Sequence, residues 1–171
     1  MITELGHYAL ILALATALVQ SLVPLIGAQR NDAGMMAVGP MAANLSFVLV
    51  AFSFLTLTYA YVISDFSLLN VVENSHSMKP MLYKITGVWG NHEGSMLLWV
   101  LILVLFSSLV ASFGRNLPDK LRANVLSVQA WITVAFLLFI LLTSNPFIRL
   151  TNPPAEGNDL NPILQDIGLP I

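Results

Sequence analysis

The sequence predicts an all-α integral membrane protein, with about four transmembrane helices and a long extracytoplasmic loop between helices 2 and 3. Of its 171 residues, 57% are hydrophobic and only 9% are charged, whereas a soluble domain usually carries about 25% charged residues. Four apolar segments each approach the roughly 20 residues that a helix needs to cross a hydrocarbon layer about 30 Å thick. Soluble proteins also bury apolar helices, but four in so short a chain would leave nothing to cover them.

The predicted spans have recognisable ends. The first stops near Pro24, and the second begins after Gly39 and Pro40. The third is slightly short, so we expect it to include Gly94 and Ser95 or to cross with little tilt. The whole chain, residues 1–171, is therefore predicted to be one transmembrane module, with spans at about 6–26, 41–64, 96–113 and 125–143.

Basic residues predict the orientation of this module. With four spans, the connections at 27–40 and 114–124 share one side of the membrane, and they hold four of the seven Lys and Arg residues: Arg30, Arg115, Lys120 and Arg122. The other side is longer and holds Lys79, Lys84 and Arg149. The positive-inside rule places the short connections in the cytoplasm and both termini outside. The N-terminus lacks the basic segment of a signal peptide, so we expect the first span to remain as an anchor.

Two segments make the predicted extracytoplasmic side the more elaborate one. Residues 65–95 form a long connection for a four-helix protein, and connections of this length are often functional. Residues 77–86 within it are predicted to form a short interfacial helix that Pro80 interrupts. From residue 144 onward the chain is rich in Pro, Asn and Asp, which favours turns and extended chain over helix.

Residues 89–99, with the sequence WGNHEGSMLLW, bring two glycines, an imidazole, a carboxylate and two indoles to the mouth of the third span. Polar groups are costly near lipid, so this motif needs an explanation. As a helix cap it is partly explained, because Asn91 is a favourable N-cap and Glu93 in the first turn complements the helix dipole. The glycines would allow close packing or an unusual turn.

A cap does not explain the imidazole and the indoles of the motif. If helical phase begins at the motif, Trp89, His92, Met96 and Trp99 fall on one face, at spacings of three, four and three residues. Such a face would suit a porphyrin or a quinone, although side chains at helical spacing more often pack against other helices. Both interpretations stay open, with His92 and Glu93 as candidate catalytic residues and Trp89, His92 and Trp99 as candidate cofactor-binding residues.

The remaining chemical signals are weaker. His7 is predicted at the same depth as His92, and two histidines can bind a metal or haem, but nothing in the sequence puts them in contact and we assign no metal site. His76 lies in a polar loop and is expected to be solvated. The chain has no cysteine, which excludes disulfides and thiolate sites. No basic patch indicates nucleic acid, and nucleotide-binding and nucleophile motifs are absent.

Several stretches resemble one family in particular. Residues 89–99 closely resemble the signature of the CcmF/NrfE family, the haem lyase subunits of bacterial cytochrome c maturation. The resemblance continues in residues 136–147, which end in Thr-Ser-Asn-Pro-Phe, and again in residues 156–166. The pair Asp65 and Phe66 after the second span fits the same family. Similarity covers essentially the whole chain.

This resemblance implies a multi-pass protein of the bacterial inner (plasma) membrane that works in haem attachment. Members of the family take haem b from the chaperone CcmE. With a CcmH-type subunit, they attach its vinyl groups to the Cys-x-x-Cys-His thiols of apocytochrome c on the periplasmic side. The implied partners are therefore CcmE, the CcmH-type subunit, apocytochrome c, lipid and the remainder of a CcmF-like protein. Both termini are then expected to be periplasmic.

The sequence also departs from the family. Members are several times longer, and after the stretch that corresponds to residues 165–171 they continue into His-Pro-Pro, whose histidine is a haem ligand. We therefore expect this chain to correspond to the N-terminal part of the family, to hold no haem ligand and to be inactive alone. A small transporter or ion-pathway subunit is the alternative, prompted by His92 and Glu93 at a helix mouth, although the predicted spans hold no charged residue. An inert membrane scaffold is a third possibility.

Overall fold

The structure is a computed structural model that describes residues 1–158. In this part of the chain the regular secondary structure is helical, which confirms the predicted fold class. One isolated antiparallel bridge joins Leu68 to Arg149. In chain order the helices are α1 (Ile2–Arg30), α2 (Ala33–Val62), α3 (Leu69–Asn74), α4 (Met81–Thr86), α5 (His92–Phe113) and α6 (Asp119–Thr143), with a 3-10 turn at Gly114–Asn116 before α6.

Four helices of the described part, α1, α2, α5 and α6, are long and apolar enough to cross a membrane. They form a ring in which α2 packs against α1 and α5, and α6 packs against the same two helices from the other side. Small residues such as Ala13, Ala17 and Ala43 are buried in this ring, and small side chains let apolar helices approach closely. The chain is therefore a four-helix membrane bundle.

Two of the long helices, α1 and α2, continue past the prolines at which the sequence predicted their ends. Pro24 lies inside α1 and Pro40 inside α2. The turn between them is only Asn31 and Asp32, because Asn31 adopts the left-handed conformation with φ 58° and the Asp32 carboxylate caps α2 by accepting from the Met35 N–H at 3.1 Å. Pro24 is buried, and its ring lies close to Gly39 of α2.

A second layer covers one end of the bundle, which we call the loop end. It consists of residues 63–91 and 144–158. Backbone hydrogen bonds join its halves, among them those from Leu69 N–H to Ile148 O and from Leu150 N–H to Ser67 O, both at 2.9 Å. Apolar side chains of this layer are buried in the same core as the bundle, among them Leu68, Val71, Val88 and Phe147. The layer is thus part of the fold and not a separate appendage.

Short helices inside this layer differ from the prediction. The helix predicted at 77–86 begins only at Met81, because the Pro80 backbone is extended with ψ 145° and Pro80 stands as the N-cap, a place that suits proline better than a helix interior. The helix α3 was not predicted. It is six residues long, and so short a helix depends on tertiary contacts and not on propensity.

The last described residues dock on this layer through Glu156. The Ser77 N–H and hydroxyl donate to the two carboxylate oxygens of Glu156, at 2.9 and 2.6 Å, and the Asn158 N–H donates to Val72 O at 2.7 Å. The hydrogen bonds from Ser77 hold the pKa of the Glu156 carboxyl below its usual range, with smaller contributions from the Gly157 N–H and from His76. The part of the family resemblance at residues 159–166, and residues 165–171, lie outside the described residues.

The interior of the bundle holds its own polar contact, which we call the bundle cluster. The Gln20 amide of α1, only 2% exposed, donates to the Ser107 hydroxyl at 3.1 Å and to the Leu126 carbonyl at 3.0 Å. The Ser127 hydroxyl donates to the Gln20 carbonyl at 3.3 Å and to its own helix. One carboxamide therefore ties α1 to α5 and α6 inside the apolar core.

Candidate functional site

The motif at residues 89–99 starts the helix α5 at the loop end of the bundle. Asn91 is the N-cap, as predicted from the sequence, and its side-chain oxygen accepts from the Gly94 N–H at 2.8 Å. Glu93 lies in the first turn, where a carboxylate complements the positive end of the helix dipole. The helix therefore begins four residues before the predicted span.

The cap belongs to a larger buried network, which we call the motif cluster: Tyr61, Asn70, Asn91 and Glu93. The Asn91 amide donates to the Tyr61 hydroxyl at 2.9 Å, and that hydroxyl donates to the Asn70 side-chain oxygen at 2.6 Å. The Asn70 amide in turn donates to Asn91 at 2.9 Å and to Glu93 at 3.2 Å. Three elements, the end of α2, the helix α3 and the start of α5, thus meet at one set of side chains.

Because two members of the motif cluster are buried, their polar atoms need hydrogen-bond partners within the protein. Tyr61 is 0% exposed and Asn70 is 4% exposed, so their polar atoms have lost their water partners. A buried polar atom that lacks a hydrogen-bond partner costs roughly 1–3 kcal/mol. The Asn91 amide also donates to the carbonyls of Gly87 and Val88, at 3.0 and 3.1 Å. The cluster consequently fixes the turn before α5 as well as the helix itself.

Gly94 explains one of the two glycines of the motif. A β-carbon at this position would overlap the carbonyl oxygen of Val88, which folds back over the first turn of α5. The prediction that the glycines permit close packing is therefore met at Gly94. Only a residue without a side chain leaves room for this turn.

The predicted aromatic face is only partly present. His92, Met96 and Trp99 lie on α5, but Trp89 lies in the turn before the helix, and it packs against the main core instead. The expectation that helical phase begins at Trp89 is wrong, because the extended backbone of Asn91 ends that phase. Trp99 is 67% exposed.

His92 is exposed beside a shallow apolar groove between α5 and α6. Its imidazole meets the Phe139 ring edge to face, with centroids 6.2 Å apart. The groove has a volume of about 320 Å³ and is lined by Met96, Ala135, Phe136 and Phe139. This face presents an imidazole next to apolar surface, and its role as a cofactor site stays a prediction.

The other two histidines have separate partners. His7 stacks on Phe147, with centroids 6.1 Å apart, and its Nε2 lies 3.3 Å from the Asn145 amide. His76 Nδ1 accepts from the Met78 N–H at 3.2 Å, so its 3.9 Å approach to Glu156 through the same nitrogen is not a hydrogen bond. His76 is half-buried and not simply solvated. Among the described residues no group of three or more His, Asp or Glu could hold a metal ion.

Sequence reasoning missed Tyr61 and Asn70, the two most buried members of the motif cluster. Tyr61 looked like an interfacial aromatic at the end of a span, and Asn70 like a loop residue. The available signal was an isolated Asn in the apolar stretch Leu68–Val72, a position at which an amide needs a partner. The pairing of Asn70 with a residue 21 positions later could not be seen in the sequence.

Comparison with known proteins agrees with the family resemblance found in the sequence. A family model described as "Cytochrome C assembly protein" matches residues 89–171, a range that begins at the motif. CycK of Rhizobium meliloti (strain 1021), a cytochrome c-type biogenesis protein, is 67% identical over 171 residues, which are 100% of this chain and 25% of that protein. CcmF of Escherichia coli (strain K12) is 48% identical over 170 residues, which cover 99% of this chain and 26% of that protein.

More distant relatives agree. NrfE of Haemophilus influenzae (strain ATCC 51907 / DSM 11121 / KW20 / Rd) is 39% identical over 170 residues, covering 99% of this chain and 27% of that protein. A solved structure described as "Cytochrome c Heme Lyase CcmF" superimposes with a TM-score of 0.82 at 28% identity, and the match covers 89% of this chain and 26% of the other. The chain spans about a quarter of the length of these relatives.

Fold and motif together define the class of protein: a multi-pass helical membrane module whose motif helix is locked at one end by a buried polar cluster. The chain belongs to the CcmF/CycK/NrfE family of cytochrome c-type biogenesis proteins, and it corresponds to the N-terminal part of those longer proteins.

Proposed function

We propose that this chain is the N-terminal membrane module of a cytochrome c haem lyase, which supports haem delivery and covalent attachment of haem to apocytochrome c. The observation that carries the proposal is the motif cluster. It joins the long loop to the mouth of α5 through buried hydrogen bonds, of which the shortest is 2.6 Å, so the loop end is built as a fixed surface. A fixed surface beside the membrane suits the positioning of large partners.

The loop end faces the periplasm of a bacterial inner membrane in this proposal, with both termini on that side. The distribution of Lys and Arg supports the orientation. The described part of the tail pairs with the long loop, so both would lie where apocytochrome c, the chaperone CcmE and a CcmH-type subunit meet. The exposed side chains of His92 and Trp99 on α5 would then be accessible to these partners or to haem.

Haem b belongs, in this proposal, to the complete protein. The described residues do not enclose a porphyrin: the groove beside His92 is a shallow apolar surface of about 320 Å³, and the His92 imidazole meets the ring of Phe139. We therefore assign no haem ligand to this chain. Its own residues would shape the surface, with Trp89 and Glu93 holding the turn and His92 and Trp99 offering contacts.

The proposal is tested by replacing the native gene with single variants and measuring covalent haem in c-type cytochromes by haem-dependent peroxidase staining of denatured membranes. We expect Asn91→Ala to remove most of the staining, since it opens the motif cluster. We expect His92→Ala and Trp99→Ala to lower it several-fold while the amount of protein in the membrane stays normal. Met78→Ala is the matched control, because Met78 lies in the same layer and is 85% exposed.

Two results would contradict parts of the proposal. Normal staining in both His92→Ala and Trp99→Ala would remove any catalytic or cofactor role for this face and leave only packing. Normal staining in Asn91→Ala would show that the fixed loop end is not needed. The size of the native product, detected through an N-terminal epitope, distinguishes two forms of the proposal: a product several times larger than 18.6 kDa would have the function of a whole lyase, and a product of 18.6 kDa would be a subunit that needs a partner.

A further inference from the structure

Another carboxamide lies on the exposed surface of the bundle, far from the motif cluster. Asn44 on α2 is exposed, and its side-chain oxygen accepts from the Ser108 hydroxyl of α5 at 2.7 Å and from the Ser112 hydroxyl at 3.4 Å. In the described part of the chain its amide nitrogen donates to no other group. We call these three residues the amide patch.

The amide patch lies within the membrane-spanning length of both helices. Asn44 is 11 residues from the start of α2, or about 16 Å along the axis, and Ser108 is five residues from the end of α5, or about 8 Å. Its neighbours are apolar and open: Met41 is 73% exposed and Val48 is 59% exposed. Among the described residues none accepts from the Asn44 amide N–H in these surroundings.

This arrangement is costly unless something covers it. Polar side chains inside the hydrocarbon region face the interior of a bundle or another helix, because lipid tails offer no acceptor. The helix α5 is also the least buried of the four: 28% of its most apolar stretch is buried, against 39% in each of the others. Small side chains at the patch, Ser108 and Ser112, leave space for a close approach.

We propose that the amide patch is the docking site for a further transmembrane helix, which packs against α2 and α5 at this patch and presents an oxygen acceptor to the Asn44 amide. The occupant is a helix from the additional length that the relatives carry, since this chain covers only 25–27% of each of them. Hydroxyl, carboxamide and backbone carbonyl oxygens all provide the required chemistry. The proposal concerns assembly of the membrane part and does not depend on haem.

A photo-crosslinking amino acid at Val48, one helical turn from Asn44, tests this contact in native membranes. The adduct is identified by mass spectrometry. We expect one discrete crosslinked peptide from a segment of the same polypeptide beyond residue 171. The matched control is a probe at Leu12 on α1, which is 56% exposed, close to the 59% of Val48, and which should give lipid adducts or no discrete peptide.

Substitutions at Asn44 test whether the amide itself, and not only the surrounding apolar surface, holds the docked helix. Asn44→Leu should lower the yield of the Val48 crosslink at least threefold, and Asn44→Gln, which keeps the donor, should restore most of it. If Asn44→Leu lowers the amount of protein in the membrane, Asn44→Ala is a milder variant that also removes the amide, and yields are compared per folded protein. An unchanged yield in Asn44→Leu would overturn the role of the amide.

Three crosslinking results would overturn the occupant. Lipid adducts alone at Val48 would mean that the patch faces the bilayer. A crosslink to a second copy of the chain would make it a dimer interface, and a crosslink to a different polypeptide would make it a subunit interface.

Discussion

Two carboxamides in this protein have different roles. Asn91 in the motif cluster is half-buried and caps the start of α5, and its partners include Gly94, three residues away, as well as Tyr61 and Asn70. Gln20 in the bundle cluster joins helices whose contacts are 87 and 106 residues away. The loop end is therefore held by a network of converging hydrogen bonds. The interior of the bundle is held mainly by packing, to which the Gln20 contacts add.

The largest effect should come from opening the motif cluster. Asn91→Ala removes the cap of α5, and it leaves the buried Tyr61 hydroxyl and Asn70 amide with fewer partners. We expect the free energy of unfolding to fall by roughly 2–4 kcal/mol. The measurement is equilibrium unfolding in mixed micelles followed by tryptophan fluorescence.

Asn91→Asp is the matched control for that prediction. It keeps the oxygen that accepts from Gly94 and removes the amide that donates to Tyr61, so an intermediate loss is expected. If the two variants were equally stable, the cap would contribute little and the network would carry the whole effect. If Asn91→Ala matched the natural protein, the contrast between the two clusters would be lost.

A smaller loss is expected when one hydroxyl leaves the same cluster. Tyr61→Phe removes the donor to the Asn70 oxygen and the acceptor of the Asn91 amide, but the Asn91 amide keeps the carbonyls of Gly87 and Val88. The expected loss is about 1–2 kcal/mol by the same unfolding measurement. Tyr59→Phe should be neutral, because Tyr59 is 44% exposed at the same end of α2. A neutral Tyr61→Phe would indicate that water replaces the hydroxyl.

The bundle cluster should contribute less than the motif cluster. Hydrogen bonds between membrane helices average about 0.6 kcal/mol in double-mutant cycles. A cycle of Gln20→Leu and Ser107→Ala is therefore expected to give a coupling energy near that value. The unfolding measurement is the same as above. A coupling clearly above about 1.7 kcal/mol, the largest value of that kind, would make the two clusters energetic equals.

The smallest effect should be the pH response of the docked tail. The folded pKa of Glu156 lies below its usual range because Ser77 donates to the charged carboxylate. This contribution is therefore fully present above the usual carboxyl pKa of about 4.3, and it is lost as pH falls through the lower folded value. The Ser77 amide resonance in an NMR titration should report the release.

Glu156→Gln is the comparison for the tail. It has no charge to titrate, so the Ser77 resonance should lose its response in the acid range while the motif cluster stays intact. An unchanged acid response in Glu156→Gln would assign the transition to another group.

Much of the architecture followed from composition and local chemistry. Four apolar segments gave four spans, because a helix satisfies its own backbone inside lipid. The cap at Asn91 and the acidic first turn followed from neighbouring residues, and the resemblance at residues 89–99 led to the family. The helix ends were harder to predict from the sequence, since Pro24 and Pro40 lie inside α1 and α2.

By itself the sequence determined what short-range physics controls: which segments are apolar, where α5 is capped, and why Gly94 stands in a tight turn. Only the tertiary structure decided which distant groups meet. Tyr61 and Asn70 complete the motif cluster, Gln20 reaches α5 and α6, and Asn44 accepts a hydrogen bond from Ser108 of α5. The physical reason is that a buried polar atom must find a partner, but many distant residues could supply one, and the packing of the helices selects among them.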